Sequence, residues 1–287
     1  MAVNGNGPAA TDGTQPAQKA YSLGYSDTEH QRLMVQARFL RPWTERFLRA
    51  GGLRPGMSVL DLGSGIGDVS LLAAEIVGPQ GRVLGIERDK ASTDKARLRA
   101  ANEGLTANVS FQVADLSEFR PDGLVDAVIG RYVLFHVADP VAILRRYTQF
   151  LRPGGVVIFH EVDLWNLHPS APARPEWDEP FQLLAAALIA AGKTPDFGRV
   201  LAPTYLAAGL PLPVVEAITP IATGPESPVF DWLARTLHNL RPVFDRTGDR
   251  LPAGLDFDNL TEHWERAAAE GVQMQGPVQY GAWTRVP

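Results

Sequence analysis

The sequence predicts an α/β fold built around a doubly wound, mostly parallel β-sheet. Between residues 58 and 159, short apolar segments alternate with helical segments. A glycine-rich loop follows the first apolar segment, and acidic residues end the next two. Strands that alternate with helices are joined by crossover connections, which favour parallel pairing. These observations together predict the fold class.

The first half of the chain supplies an opening helix and five strands. Residues 27–50 carry apolar residues at helical spacing, with Pro42 marking a break or the start of a second helix. Each predicted strand is an apolar run bounded by turn residues. The predicted strands are 58–62, 82–86, 109–113, 124–130 and 156–159, and the predicted helices among them are 68–77, 91–103 and 140–151.

The second half is less regular and supplies a cover and closing strands. Residues 164–174 read as an irregular loop. Helices are predicted at 179–191, 230–244 and 259–270, and strands at 214–221 and 278–286, the last with alternating faces. We divide the chain into a disordered tail (1–20), an N-terminal helical segment (21–52), a core (53–163), and cover helices with the last two strands (164–287).

Composition excludes several classes of function. The chain of 287 residues has a net charge of −5, which gives no reason to expect a nucleic acid as partner. It contains no cysteine, so disulfides and thiolate catalysis are excluded. The N-terminal residues lack the basic start and apolar centre of a signal peptide, and no run is long enough to span a bilayer. We therefore expect a cytoplasmic protein with no membrane partner.

The loop at residues 61–67, Asp-Leu-Gly-Ser-Gly-Ile-Gly, lies where a strand turns into a helix. Its glycines allow a ligand to approach the backbone, and the helix start offers unpaired N–H groups. Glu87 ends the next strand, where a carboxylate can accept hydrogen bonds from both ribose hydroxyls. Asp115 ends the third strand, where it can accept a hydrogen bond from an adenine amino group. This combination predicts a nucleoside ligand.

The main competing ligand is a nicotinamide dinucleotide. Its fingerprint requires a third glycine where this chain has Asp68. A carboxylate so near the helix start would repel a pyrophosphate, whereas S-adenosylmethionine has no phosphate. This difference favours S-adenosylmethionine as the cofactor.

With these motifs, the chain resembles the class I S-adenosylmethionine-dependent methyltransferases, in particular bacterial enzymes that act on small molecules. The resemblance covers residues 53–163 and is carried by 59–67, Glu87, 113–116, 126–131, His136, 139–140 and 151–155. It implies a seven-stranded sheet whose last strand is antiparallel and lies beside the fifth. A looser match at 21–26 and Gln36 implies a segment that closes over the cofactor.

The resemblance also implies cofactor-binding roles for residues of the first four strand ends. The glycine loop would hold the methionine part and ribose, Glu87 the ribose, and Asp115 with Leu116 the adenine, while Arg131 would line the pocket near the amino-acid end. The residues assigned to the cofactor are Gln36, Asp61, Gly63, Ser64, Gly65, Gly67, Glu87, Arg88, Asp115, Leu116 and Arg131.

Candidate catalytic residues are those at the ends of the fourth and fifth strands, where acceptor and cofactor would meet. His160 is a candidate base that Glu161 or Asp163 would orient, although it also fits a structural role. His136 is a second candidate that also fits a structural role. No cluster of acidic residues follows the fifth strand, so we expect no metal.

We expect methylation of a small, partly hydrophobic metabolite, because the cover helices carry aromatic residues. A role in secondary metabolism is an expectation from the resemblance. O-methylation is the first hypothesis, and N- and C-methylation stay open. The alternatives are a protein that binds S-adenosylmethionine without methylating, such as a cyclase or decarboxylase, and a protein or RNA methyltransferase. A homodimer is compatible with the resemblance.

Overall fold

The computed structural model describes residues 27–166, 168–251 and 255–287. The predicted tail and the segment 21–26 lie outside these residues. The helices are α1 Asp27–Ala50, α2 Asp68–Val77, α3 Lys90–Asn102, α4 Pro140–Thr148, α5 Pro175–Ala190, α6 Leu201–Ala207, α7 Pro228–Thr247 and α8 Leu260–Ala269. The strands are β1 Ser58–Leu62, β2 Arg82–Glu87, β3 Val109–Val113, β4 Val125–Arg131, β5 Leu151–Asp163, β6 Ser170–Ala171, β7 Val214–Ile218, β8 Ile221–Ala222, β9 Gln273–Gln275 and β10 Val278–Arg285.

Seven of the strands form the central sheet, in the order β3-β2-β1-β4-β5-β10-β7. The first five are parallel, and β10 is antiparallel to both β5 and β7. The predicted seven-stranded sheet is therefore confirmed, including the antiparallel last strand beside the fifth. The parallel order brings the carboxyl ends of β1, β2, β4 and β5 to one edge, where the ligand site of such sheets lies.

Helices cover both faces of this sheet, as a doubly wound fold requires. Val59 belongs to a hydrophobic cluster that includes residues of α2 and α3, whereas its neighbour Leu60 belongs to a second cluster that includes residues of α4, α5 and α7. Adjacent strand residues point to opposite faces, so one short apolar run supplies both cores. None of the helices in the described part of the chain is long and apolar enough to cross a membrane.

The structure differs from the sequence prediction at several places. The predicted strand 214–221 is interrupted between β7 and β8, and the predicted helix 140–151 ends at Thr148. Helix α1 continues through Pro42 as one helix, held by buried residues before and after it such as Leu40 and Phe47. Strand β5 extends to Asp163 because β10 pairs with it from Val156 onward. The short helix α6 and a small sheet of β6, β9 and β8 were not predicted, since segments of two to seven residues carry too little periodicity.

Candidate active site

A cavity of about 790 Å³ opens at the carboxyl ends of the parallel strands. It extends from the glycine loop after β1, past the ends of β2 and β4, to helices α5 and α7, with α1 on its wall. Sites for small ligands commonly measure about 300 to 1,000 Å³, so this cavity is large enough for a nucleoside cofactor and a second molecule.

The glycine loop meets this cavity through Gly63 and Gly65, whose φ angles are 64° and 52°. A Cβ atom added at Gly65 would meet no atom within 4 Å, so the backbone here borders open space. Gly67 has a different role. A Cβ atom there would lie 2.9 Å from the ring of Phe111, so this glycine permits close packing of the loop on β3.

The carboxylate of Glu87 lines the cavity and fixes the glycine loop. It accepts hydrogen bonds from the backbone N–H groups of Gly65 (3.1 Å) and Asp89 (3.0 Å). Burial raises its pKa, and these hydrogen bonds partly oppose that shift. Each carboxylate oxygen has two acceptor sites, so both can still accept a hydrogen bond from a ligand hydroxyl. Asp115 and Leu116 line the cavity at the next strand end, as predicted.

These residues fit S-adenosylmethionine. Ser64 lies between the two cavity-lining glycines, and its buried hydroxyl has no hydrogen-bond partner among the residues that the structure describes. A buried polar group without a partner indicates a ligand group that completes it. The open backbone position at Gly65 leaves room for the cofactor. The acidic residues at the next two strand ends, Glu87 and Asp115, are suited to the ribose hydroxyls and the adenine amino group.

Gln36 of α1 also borders the cavity, with its side-chain orientation fixed. Its Oε1 accepts hydrogen bonds from Arg32 Nη1 (2.7 Å) and Trp232 Nε1 (3.0 Å). The cavity is also lined by Arg88. Asp61 does not line it. This carboxyl lies beneath the loop, where it accepts a 2.6 Å hydrogen bond from Ser70 Oγ and where burial raises its pKa to about 7.

Arg131 is buried at the cavity wall and connects it to α1 and α2. Its Nη1 donates to Thr44 Oγ1 (3.2 Å), and its Nη2 lies 3.4 Å from Asp68. Asp68 also pairs with Arg99 at 2.5 Å. The expected repulsion between Asp68 and a pyrophosphate is therefore weakened, because two guanidinium groups compensate the carboxylate.

His160 and Glu161 do not line the cavity. Both ring nitrogens of His160 are hydrogen-bonded, Nδ1 to Thr44 Oγ1 and Nε2 to Gln279 Oε1, each at 3.0 Å. Burial lowers its pKa to about 3. Neither nitrogen faces the cavity in which a methyl acceptor would bind. This geometry does not support the role of His160 as a base, which stays a prediction.

Glu161 supports the cavity wall from behind. Its Oε1 accepts hydrogen bonds from the backbone N–H groups of Val133 (3.0 Å) and Leu134 (2.8 Å), which line the cavity. Burial raises its pKa to about 8. Of the three predicted catalytic residues, only His136 lines the cavity, and its pKa lies well below 6.5 because of burial and of the cations Lys193, Arg32 and Arg88.

Trp232 on α7 lines the cavity, and it is one of the aromatic residues of the predicted cover helices. The sequence prediction missed two charged residues of the lining: Lys193, which follows α5, and Glu29, which pairs with Arg32 on α1. The i,i+3 spacing of Glu29 and Arg32 is a sequence signal for that pair. Among the described residues, no three His, Asp or Glu side chains are arranged to hold a metal ion.

Comparison with known proteins agrees with this geometry. The family described as "Methyltransferase domain" matches residues 53–191. The ubiquinone/menaquinone biosynthesis C-methyltransferase UbiE of Vibrio campbellii is 32% identical over 130 residues, which are 45% of this chain and 50% of that protein. The chain spans about half the length of the curated relatives it matches.

Two solved structures have the same fold. One is a protein of Bacillus halodurans whose methyltransferase activity is itself only inferred. It aligns with a TM-score of 0.56 and 14% identity, covering 85% of this chain and 98% of that one. The [4+2]-cyclase SpnF aligns with a TM-score of 0.50 and 20% identity, covering 86% and 81%. At these identities the likeness concerns the fold alone. The family match, the sheet topology and the cavity agree, and the chain therefore carries, in residues 53–191, a methyltransferase domain of the class I S-adenosylmethionine-dependent family.

Proposed function

We propose that the protein transfers the methyl group of S-adenosylmethionine to a small, partly hydrophobic metabolite. The observation that carries this proposal is the continuity of the cavity. The same space borders Gly65, Glu87 and Asp115 at one end and apolar side chains of the cover at the other. A cofactor and an acceptor in one water-poor space can be held in contact, which is the main requirement for a transfer reaction.

The far part of the cavity, which we name the acceptor chamber, is bordered mostly by apolar residues. They come from the end of β5, from α5, from the 3₁₀ turn that follows it and from α7, and they are Val162, Leu164, Leu184, Leu188, Phe197 and Trp232. Side chains of this kind favour an acceptor with rings or a carbon chain. The chamber and the resemblance to bacterial small-molecule enzymes support a role in natural-product biosynthesis.

S-adenosylmethionine supplies an electrophilic methyl group on a sulfonium. The residues of the chain need to orient the acceptor, exclude water and, where the acceptor is a hydroxyl, receive a proton. His136 is neutral at pH 7, since its pKa is far below 6.5, and it is therefore a weak proton acceptor. A weak base suffices for an acidic acceptor such as a phenol or a carboxylic acid. O-methylation of such a group is our first proposal, with N- and C-methylation as alternatives.

A second candidate is catalysis without methyl transfer. The same fold occurs in a [4+2]-cyclase over most of both chains. Because that likeness concerns the fold alone, it does not favour cyclisation over methylation. Under this second proposal the bound cofactor would stay intact while the acceptor chamber directs a rearrangement of its ligand.

Methyl-labelled S-adenosylmethionine separates the two candidates. The purified protein would be incubated with phenols, carboxylic acids and amines that carry apolar rings or chains. We expect the label in a product one methyl group heavier, with S-adenosylhomocysteine formed in equal amount. An acceptor converted at constant mass, with no S-adenosylhomocysteine formed, would favour the second candidate. Failure to bind either form of the cofactor would contradict both.

A further inference from the structure

The central sheet ends at β7, an edge strand whose outer side has no backbone partner among the described residues. β7 pairs with β10 along its inner side. No backbone group of residues 214–218 bonds to any other described segment. An open edge of this kind presents a row of N–H and C=O groups that can hydrogen-bond to another extended chain.

The side chains along this edge are apolar and exposed. Val214 and Val215 are consecutive in β7, so they point to opposite faces of the sheet, and both are exposed. Leu212, just before the strand, is 69% exposed, and Leu206 on the neighbouring helix α6 is also exposed. We name these four residues the apolar edge. Large apolar side chains that are exposed in one place indicate an interaction surface.

The opposite edge of the same sheet has a different character. It is formed by β3, whose exposed residues include the polar Ser110 and Gln112. Arg97 of α3 also donates a 2.8 Å hydrogen bond to the backbone carbonyl of Phe111 in this strand. Polar and charged side chains of this kind protect an edge from pairing. The two edges of one sheet therefore differ in how they are protected.

The charge of β7 is compensated within the chain, which indicates the kind of partner that fits. Glu216 is the only charged residue of the strand, and its carboxylate accepts a 2.9 Å hydrogen bond from Arg46 Nε. A charged segment would therefore gain no new ion pair at this strand. The partner that suits the apolar edge is itself extended, apolar and without excess charge.

We propose that β7 pairs antiparallel with β7 of a second copy of the chain, about a two-fold axis, so that the two central sheets become one. An edge strand is complementary to itself in this arrangement, because each copy offers the same groups to the other. A register centred on Val215 places Glu216 of each copy opposite Val214 of the other. A register centred on Glu216 would bring two carboxylates together and is disfavoured.

The size of this contact predicts a reversible dimer. Pro213 precedes the strand and has no N–H group, so the backbone pairing is short. Leu206 and Leu212 add apolar area beside it. We expect a dissociation constant on the order of 1 μM, at the weak end of the range for protein interfaces. None of the four residues of the apolar edge lines the cavity, so the inference is independent of the proposed methyl transfer.

Sedimentation velocity over a concentration range that brackets this value tests the dimer. The wild-type protein should change from monomer to dimer as its concentration rises. Val215→Lys places two ammonium groups opposite each other at the two-fold axis and should raise the dissociation constant at least about 10-fold, and Leu212→Lys should act in the same direction. The control is Leu98→Lys, which changes a leucine on α3 that is 61% exposed and should leave the dissociation constant unchanged. Thermal unfolding followed by circular dichroism shows that each variant is folded.

Hydrogen exchange at the two ends of the concentration range locates the contact. Amides of residues 214–218 should exchange more slowly in the dimer, whereas those of β3 should not change. A wild-type protein that stays monomeric, a dimer that survives both Val215→Lys and Leu212→Lys, or an equal loss in Leu98→Lys would overturn the proposal. Slow exchange of the outer amides of β7 at every concentration would also overturn it, because another segment of the same chain would then cover the edge.

Discussion

Replacement of Glu161 by Gln should remove a pH dependence of stability that this buried carboxyl creates. The side chain is fully buried, and its pKa is raised from 4.5 in the unfolded chain to about 8 in the fold, chiefly by desolvation. Between these two values the folded state binds one proton more than the unfolded state. The free energy of unfolding therefore falls as the pH rises through this window.

The size of the effect follows from the two pKa values. From pH 6 to pH 8, Glu161 should lower the free energy of unfolding by about 2 kcal/mol, since one pKa unit corresponds to about 1.4 kcal/mol and the fall levels off near the folded pKa. Glutamine has the shape of the protonated carboxyl, and its Oε1 can still accept from the N–H groups of Val133 and Leu134. The variant should therefore gain about 2 kcal/mol relative to the wild type over this range.

Urea unfolding at a series of pH values, followed by circular dichroism, measures this difference. The matched control is Glu75→Gln, which removes a half-exposed carboxylate paired with Arg41 at the surface. That variant should follow the pH dependence of the wild type. If the stability curves of Glu161→Gln and the wild type ran parallel from pH 6 to pH 8, Glu161 would not be a protonated carboxyl in the fold, and the reasoning would fail.

Three further predictions concern the cofactor site and His160. Gly65→Asp should abolish S-adenosylhomocysteine binding in calorimetry, whereas the control variant Gly104→Asp should bind it normally. Both glycines have a positive φ and open space around them, but only Gly65 lines the cavity. Equal losses of binding in the two variants would assign the effect to backbone strain. Glu87→Ala should weaken the same binding about 10- to 100-fold, from loss of a charged hydrogen-bonding group, and unchanged affinity would remove Glu87 from the site. His160→Gln should make the free energy of unfolding less dependent on pH below pH 6.5. In the wild type, the pKa of His160 is near 3 in the fold, so the free energy of unfolding falls by about 1.4 kcal/mol per pH unit as the pH drops below 6.5. Methyl transfer by the variant should persist, and loss of transfer in a stably folded variant would restore His160 as the base.

The cofactor half of the site was predictable because its determinants are local. A strand, a glycine loop and a helix follow one another within twenty residues, and each parallel strand delivers its last residue to the same edge of the sheet. Gly63, Gly65, Glu87 and Asp115 therefore line one cavity, as spacing alone predicted. The central strands are buried on both faces, and such strands appear in the sequence as short, continuous apolar runs between turn residues. The sheet was therefore predictable from local sequence as well.

The candidate catalytic residues could not be told apart from the sequence in this way. His136 and His160 both lie near the ends of β4 and β5, and the sequence gives no reason to separate them. The difference comes from distant elements: Thr44 on α1 and Gln279 on β10 bind the ring of His160 from positions 116 and 119 residues away. Contacts over such separations depend on how helices and strands pack, which local periodicity does not encode.

The sequence by itself determined the fold class, the glycine loop and the acidic residues at two strand ends, because strand spacing and turn chemistry fix these locally. Only the tertiary structure decided which side chains meet across the cavity. The packing of α7 on α1 brought Asn239 to the carboxylate of Glu29, and the loop after α5 brought Lys193 to the carbonyl of His136. Residues that are distant in the sequence form such hydrogen bonds only when the packing of helices and strands brings them together and removes the water between them.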